Sequence, residues 1–293
     1  MRFLLGIGGT EFSEPTLIVG SRIARSFDAD LSVVYVGEKP KQLFEDRVHL
    51  ARDALANWEI YHPGIEVLKW AYEHLKKSGF LAGEEGGNYF RPENMVEERG
   101  RFRMILPAVT GREVDLILRE GKIVRELRRE TAGGDYTLTI IGGSRGRRMA
   151  HDLLQYIPTS IFVVKNVDRK REYKILLCVD DSEATKRAVR FGATIAKNLD
   201  MFVNTLTVSK TTRFGPGYTR AANTAARYLK SQEIPFEQHF VTGDPVNTFV
   251  EYAGESHILV MGDSGTSPLK KFFVGSKPIR TLDRANCPIL VVR

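Results

Sequence analysis

The chain has 293 residues, 42% hydrophobic and 27% charged, with 43 Lys and Arg against 36 Asp and Glu for a net charge of +7. That length suits about two domains, each with its own core. The composition excludes a disordered tail or a packaging protein, and no run of about 18 apolar residues offers a membrane-crossing helix. Two cysteines, Cys178 and Cys287, make no disulfide scaffold, so a reducing cytoplasm is the expected compartment. The opening residues lack the apolar core of a signal peptide.

In chain order, Arg2–Gly6 reads as an apolar strand running into glycines, followed by a helix over Glu14–Phe27 and a strand over Leu31–Val36. Helices are predicted at Gln42–Ile60 and Ile65–Lys77. The part at about 79–113 contains Gly83-Glu84-Glu85-Gly86-Gly87 and the aromatic residues Tyr89, Phe90 and Phe102. It reads as an insertion that is a lid, a partner surface or a decorated loop. Strands follow at Leu116–Gly121, Tyr136–Gly143 and Ile161–Lys165, with the Arg125–Arg129 run on a helix as a solvated face. The charged stretch Asn166–Glu172 is the natural linker.

After the linker the same unit is written again. Lys174–Glu183 stands over Arg2–Glu11, each an apolar strand with a small or acidic turn and a helix start. Ser182 and Thr10 are the expected helix N-caps. A helix over Glu183–Asn198 and strands at Met201–Val208, His239–Gly243, Ile258–Gly262 and Ile289–Val292 complete the second copy. Short apolar strands alternating with amphipathic helices mean parallel sheets covered on both faces. The expected class is therefore α/β: two tandem, doubly wound, five-stranded parallel sheets in 3-2-1-4-5 order. The expected domains are 1–168, carrying the insertion, and 169–293. Residues 1–168 hold 24 basic and 24 acidic side chains, so the whole surplus lies in the second half, 19 against 12. On charge alone a solvated face accounts for it.

In such sheets ligands sit beyond the carboxyl ends of the strands, where the strand order reverses. In the second half Asp180 ends the first strand, and Gly262-Asp263-Ser264-Gly265 follows the fourth, nine residues ahead of Gly275-Ser276 and a helix. Glycines let backbone N–H groups reach an anion, and a helix start adds partial positive charge. Asp180 is placed to accept from a sugar hydroxyl or to help hold a metal. A sugar phosphate or nucleotide fits this layout.

The spacing Gly262-x-x-Gly265, nine residues, Gly275-Ser276 resembles the universal stress protein family, as do Val179-Asp180-Asp181-Ser182-Glu183, Gly243-Asp244-Pro245 and Cys287-Pro288-Ile289-Leu290-Val291-Val292. The resemblance covers residues 173–293. It implies a tandem stress-response regulator or protective factor whose C-terminal domain binds ATP, ADP or AMP, with or without Mg²⁺. By that resemblance Asp180 meets the ribose or adenine, Leu206 contacts adenine through its backbone, Gly262 and Gly265 flank ribose and phosphate, and Gly275 and Ser276 hold phosphate oxygens. It also implies that Ile161–Lys165 meets Ile289–Val292 in an intramolecular pseudo-dimer, with a homodimer also open.

Two departures from the family pattern are Lys277 and Pro278 after Gly275-Ser276. Lys277 either pairs with phosphate or is a solvated lysine. Asp263 fits near phosphate only if it faces away or binds Mg²⁺. The first half resembles the family more weakly: Gly8 replaces the acid, the segment after Gly146 is nine residues shorter, and Arg147-Arg148 stand where the phosphate loop would end. It reads as a degenerate domain.

No catalytic residue and no metal ligand set is expected. Gly6-Ile7-Gly8-Gly9-Thr10-Glu11 lacks the third glycine of a dinucleotide loop, Gly275-Ser276-Lys277 is no P-loop, and the six histidines have no metal spacing. Cys178 reads as an inert core thiol. The rivals are a nucleotide-free interaction scaffold using the insertion, and an AMP-transferring or slow ATP-hydrolysing enzyme. An AMP-transferring enzyme would need an added motif after the first strand, such as Ser-Gly-Gly-x-Asp-Ser or His-x-Gly-His, and neither is in the chain.

Overall fold

The computed structural model describes residues 1–37, 63–82, 89–143, 147–263 and 277–293. These form two compact units, Met1–Tyr136 and Thr137–Arg293. The expected halves follow the sequence repeat, whereas these units follow packing.

In the first unit β1 (Arg2–Ile7), β2 (Asp30–Gly37) and β5 (Glu113–Glu120) lie side by side and parallel. They run in the order third, second, first of the expected strands. Their apolar residues are buried on both faces, as parallel strands covered by helices require. Helices α1 (Thr10–Ser26) and α2 (Pro63–Lys77) pack on them. Helix α1 begins at Thr10 rather than Glu14, so its N-cap is Gly9 and Thr10 already lies inside. The helix predicted at Gln42–Ile60 lies outside the described residues.

The described part of the insertion continues the sheet. β4 (Arg101–Pro107) pairs antiparallel with β5, and the short β3 (Val96–Glu98) pairs antiparallel with β4. Phe90 packs near Tyr72, ring centroids 5.9 Å apart, so this aromatic covers a local core. Helix α3 (Ile123–Gly133) carries the Arg125–Arg129 run; Arg125 and Arg129 are exposed, while Glu126 between them is buried.

Below α3 lies a buried charge cluster. Arg119 Nε donates to Glu130 Oε2 at 2.6 Å, Arg101 pairs with the other Glu130 oxygen, and the Tyr136 hydroxyl donates to that oxygen at 2.9 Å. Burial first, then the Glu130 charge, pushes the Tyr136 phenol far above its ordinary pKa, so it stays a neutral donor.

In the second unit, β8 (Lys174–Cys178), β9 (Val203–Ser209), β10 (Phe236–Thr242), β11 (His257–Gly262) and β12 (Ile289–Val292) are all parallel, in the order β10-β9-β8-β11-β12. That is the expected 3-2-1-4-5 arrangement. β7 (Ser160–Val164) then pairs antiparallel with β12, Phe162 opposite Leu290, and parallel with β6 (Tyr136–Gly142). The pairing of Ile161 and its neighbours with Ile289–Val292 is therefore present.

Helices α5 (Glu183–Asn198) and α6 (Pro216–Ser231) pack against each other on one side of these strands, and α7 (Pro245–Ala253) and α8 (Lys277–Arg284) pack together on the other. α4 (Arg147–Tyr156) precedes β7. The α/β, doubly wound class is as expected.

Candidate functional site

The strand order reverses between β8 and β11: the chain leaves β8 through α5 toward β9, and later returns on the opposite side as β11. The register sets Val260 against Leu177, so both strands end together. Asp180 lies two residues past the end of β8, Gly262 ends β11, and Lys277 opens α8. The structure brings Lys277 to Asp180, while Gly262 packs against Ala184 in the first turn of α5.

Asp180 is held by its own turn. Its Oδ1 accepts from the Ser182 hydroxyl at 2.6 Å, the Ser182 N–H at 3.1 Å and the Thr185 hydroxyl at 2.7 Å. The Asp180 N–H in turn donates to Thr185 Oγ1 at 3.2 Å. Oδ2 stands 3.6 Å from Lys277 Nζ. Burial raises the carboxyl pKa, but the bonds from Ser182 and Thr185, with the charge of Lys277, outweigh it and hold the group below the ordinary carboxylate range. About a third of the Asp180 side chain and half of Lys277, 35% and 53%, face solvent.

Ser182 occupies the N-cap position of α5, as expected, but its side chain makes no capping bond. Its hydroxyl is instead turned back toward Asp180, donating to Oδ1 at 2.6 Å, an orientation that points the oxygen away from the N–H groups of the helix start. Sequence reasoning missed Ser182 and Thr185 as the groups that orient Asp180. The available signal was spacing, since hydroxyls two and five positions after an acid at a strand-to-helix turn can both reach back to it.

Gly262 has a packing role of its own. A Cβ there would sit 2.5 Å from the Ala184 carbonyl carbon, so the bare glycine lets β11 end against the first turn of α5. Leu206 is fully buried on β9, and its carbonyl accepts from the Val179 N–H at 2.9 Å. Asp263 is engaged by Arg293, whose Nε donates to Oδ2 at 3.1 Å. The same guanidinium donates to the carbonyls of Leu154 and Ile157 at the end of α4. The carboxylate that looked awkward beside phosphates thus has a cationic partner. Gly265, Gly275 and Ser276 lie outside the described residues.

Helix α8 is also held at its far end. His151 on α4 pairs with Asp283 at 2.6 Å, and Lys165 Nζ donates to the Leu282 carbonyl at 2.6 Å. Cys178 and Cys287 are buried; burial drives the Cys178 thiol well above its ordinary pKa and that of Cys287 to about 11, so neither is a ready nucleophile. What the arrangement offers is an ionised acceptor oxygen facing a lysine, at the mouth between two parallel strands.

Residues 173–293 match the model of the Universal stress protein family. A universal stress protein of Methanocaldococcus jannaschii is 25% identical over 138 residues, which cover 41% of this chain and 81% of that protein. The crystal structure of a universal stress protein from Archaeoglobus fulgidus is similar with a TM-score of 0.61 at 13% identity, covering 100% of this chain and 96% of that one. A functionally unknown protein from Pseudomonas aeruginosa PAO1 gives a TM-score of 0.60 at 13% identity, over 99% and 92%. At these identities the two structures show a common fold that extends over both halves of the chain.

Proposed function

We propose, from the universal stress protein domain that residues 173–293 carry, that this half binds an adenine nucleotide in the crevice between β8 and β11 and that the chain acts as a nucleotide-responsive regulator. The observation that carries the reading is the Asp180 carboxylate. Three donors fix one of its oxygens and so orient the other, 3.6 Å from Lys277 Nζ, as an acceptor that a sugar hydroxyl or an exocyclic amine would share with the lysine. The motif Gly262-x-x-Gly265 and Gly275-Ser276 supplies the phosphate side of the proposal, with Leu206 toward adenine and Lys277 toward the phosphates. ATP, ADP and AMP are all candidates, with Mg²⁺ as an accompanying ion for the first two. The first half is the degenerate copy.

The test is titration calorimetry of the full chain with ATP, ADP, AMP and adenosine, each with and without Mg²⁺, alongside mass analysis of small molecules released from fresh protein. One site per chain is expected. Gly275→Val is expected to weaken ATP binding far more than adenosine binding, because the added side chain obstructs phosphate and leaves the nucleoside end alone. A parent protein that binds none of the four ligands overturns the reading and returns the chain to an interaction scaffold.

A further inference from the structure

The second half contains a surface that the nucleotide crevice does not use. Between Glu183 and Ser231 there are nine Lys and Arg and only two acids, Glu183 and Asp200, and α6 contains no acid at all. All nine cations are exposed: Lys186, Arg187, Arg190 and Lys197 on α5, Lys210 and Arg213 before α6, and Arg220, Arg227 and Lys230 on it. Among the described residues only Lys186 has an ion-pair partner, Glu183 at 2.7 Å.

The positions form two rows. At 100° per residue the four α5 cations fall within a stripe about 100° wide, and the three on α6 within about 80°. Each row runs about 15 Å along its helix at 1.5 Å per residue. The opposite faces of both helices, with Ala188 and Ile195 or Ala222, Ala225 and Leu229, are buried. The helices pack side by side, which sets their axes about 8 to 10 Å apart. Between the cations α6 exposes Thr219, Asn223, Thr224 and Ser231, further uncharged polar groups. Like charges at i and i+4, such as Lys186 and Arg190, destabilise a helix, and no acid is interleaved to relieve α6. Local stability therefore does not explain the pattern.

From this layout we propose that the outer face of α5 and α6 docks the phosphate backbone of a nucleic-acid duplex without reading its sequence. Two cation-bearing stripes on helices whose axes lie about 8 to 10 Å apart suit strands flanking a groove about 6 to 12 Å wide. The aromatic rings of these helices are withdrawn, Phe191 buried and Tyr218 and Tyr228 half-buried, so none stands clear as a platform for unpaired bases, which favours a duplex over a single strand. Phosphate oxygens spaced along a rigid double strand meet Arg and Lys side chains in register, and release of counterions drives the association. This inference uses neither Asp180 nor Lys277 and is independent of the adenine-nucleotide reading.

The experiment is fluorescence anisotropy of a labelled mixed-sequence duplex titrated with the full chain between 50 and 200 mM salt. Binding is expected to be micromolar or weaker and indifferent to sequence, with log K falling against log salt at a slope of about −4 to −5 for some five phosphates. Arg220→Gln with Arg227→Gln should weaken binding and reduce the steepness of the slope by about 2. Gln suits an exposed helix face, so the variant keeps its fold, which thermal unfolding would verify.

The control is Lys69→Gln with Lys77→Gln on α2, an equal charge change that should leave the slope unaltered. An equal loss in the control would reduce the effect to net charge and overturn the proposal. So would tighter binding to a single strand, or retention on phosphatidylserine vesicles with no duplex binding.

Discussion

Lys277 Nζ stands 3.6 Å from Asp180 Oδ2, so the lysine that departs from the family pattern is the cationic partner of the acid at the strand crossover. The contact joins the end of β8 to the start of α8 across the mouth of the crevice. On the proposed reading, a nucleotide bound there would meet both groups at once.

Lys277→Met should therefore act with opposite signs on two ligands. Removing the lysine frees Asp180 Oδ2, and adenosine affinity should rise by up to about fivefold, the equivalent of about 1 kcal/mol for a half-exposed pair. ATP affinity should fall, because a phosphate-facing charge is gone. Calorimetry with both ligands decides it. A fall for both, or no change in either, would reduce Lys277 to a bystander.

The two glycines packed between α5 and the sheet should differ in their tolerance of a methyl group. A Cβ at Gly262 would meet backbone, the Ala184 carbonyl carbon at 2.5 Å, whereas one at Gly192 would meet the end of a side chain, Leu177 Cδ2 at 2.4 Å. Gly262→Ala is expected to cost about 1 to 3 kcal/mol and Gly192→Ala less, since leucine can change rotamer while the first turn of a helix cannot yield. Thermal unfolding of both variants gives the ranking, and equal costs would contradict it.

Glu130 is the hub of the buried cluster in the first unit, taking Arg119, Arg101 and the Tyr136 hydroxyl on its two oxygens. Glu130→Ala leaves Arg119 with only the longer contact to Glu126 and Arg101 with only that to Glu98, both at 3.4 Å, and should cost about 3 kcal/mol. Glu130→Gln retains an acceptor for Tyr136 and should cost less. Chemical denaturation of the pair measures the difference.

His257 is buried, with Nδ1 at 2.9 Å from the Ala253 carbonyl and Nε2 at 3.0 Å from Asn204 Nδ2. Nδ1 therefore donates and Nε2 accepts, the neutral tautomer. Desolvation depresses its pKa below the ordinary 6.5, against the pull of the Ala253 bond. The unfolded chain thus binds a proton that the folded one refuses. This contribution is complete above about pH 6.5 and is lost as pH falls from there toward the lowered folded pKa, by up to about 1.4 kcal/mol per pH unit. Urea unfolding from pH 7.5 to 5 should show this slope in the parent and its loss in His257→Asn. Parallel curves would refute it.

Much of this was already legible in the residues. Lys174–Cys178, Ile258–Gly262 and Ile289–Val292 are apolar enough to specify buried parallel strands, and the helices between them carry a period that permits little else. The acid after the first strand and Gly262 at the end of the fourth stand at adjacent strand ends, because the strand order alone puts them there.

Other features depended on distant parts of the chain. Arg101–Pro107 gives no sequence signal of joining the sheet antiparallel, since its partner β5 is chosen by the free edge that folding leaves there. Nor could Asp263 reveal that it would face Arg293, or Lys277 that it would face Asp180. Local periodicity determined which segments became strands and helices. Which charges met was decided by the tertiary structure, because ion pairs between residues far apart in sequence form only after packing has put the ends of strands and helices side by side.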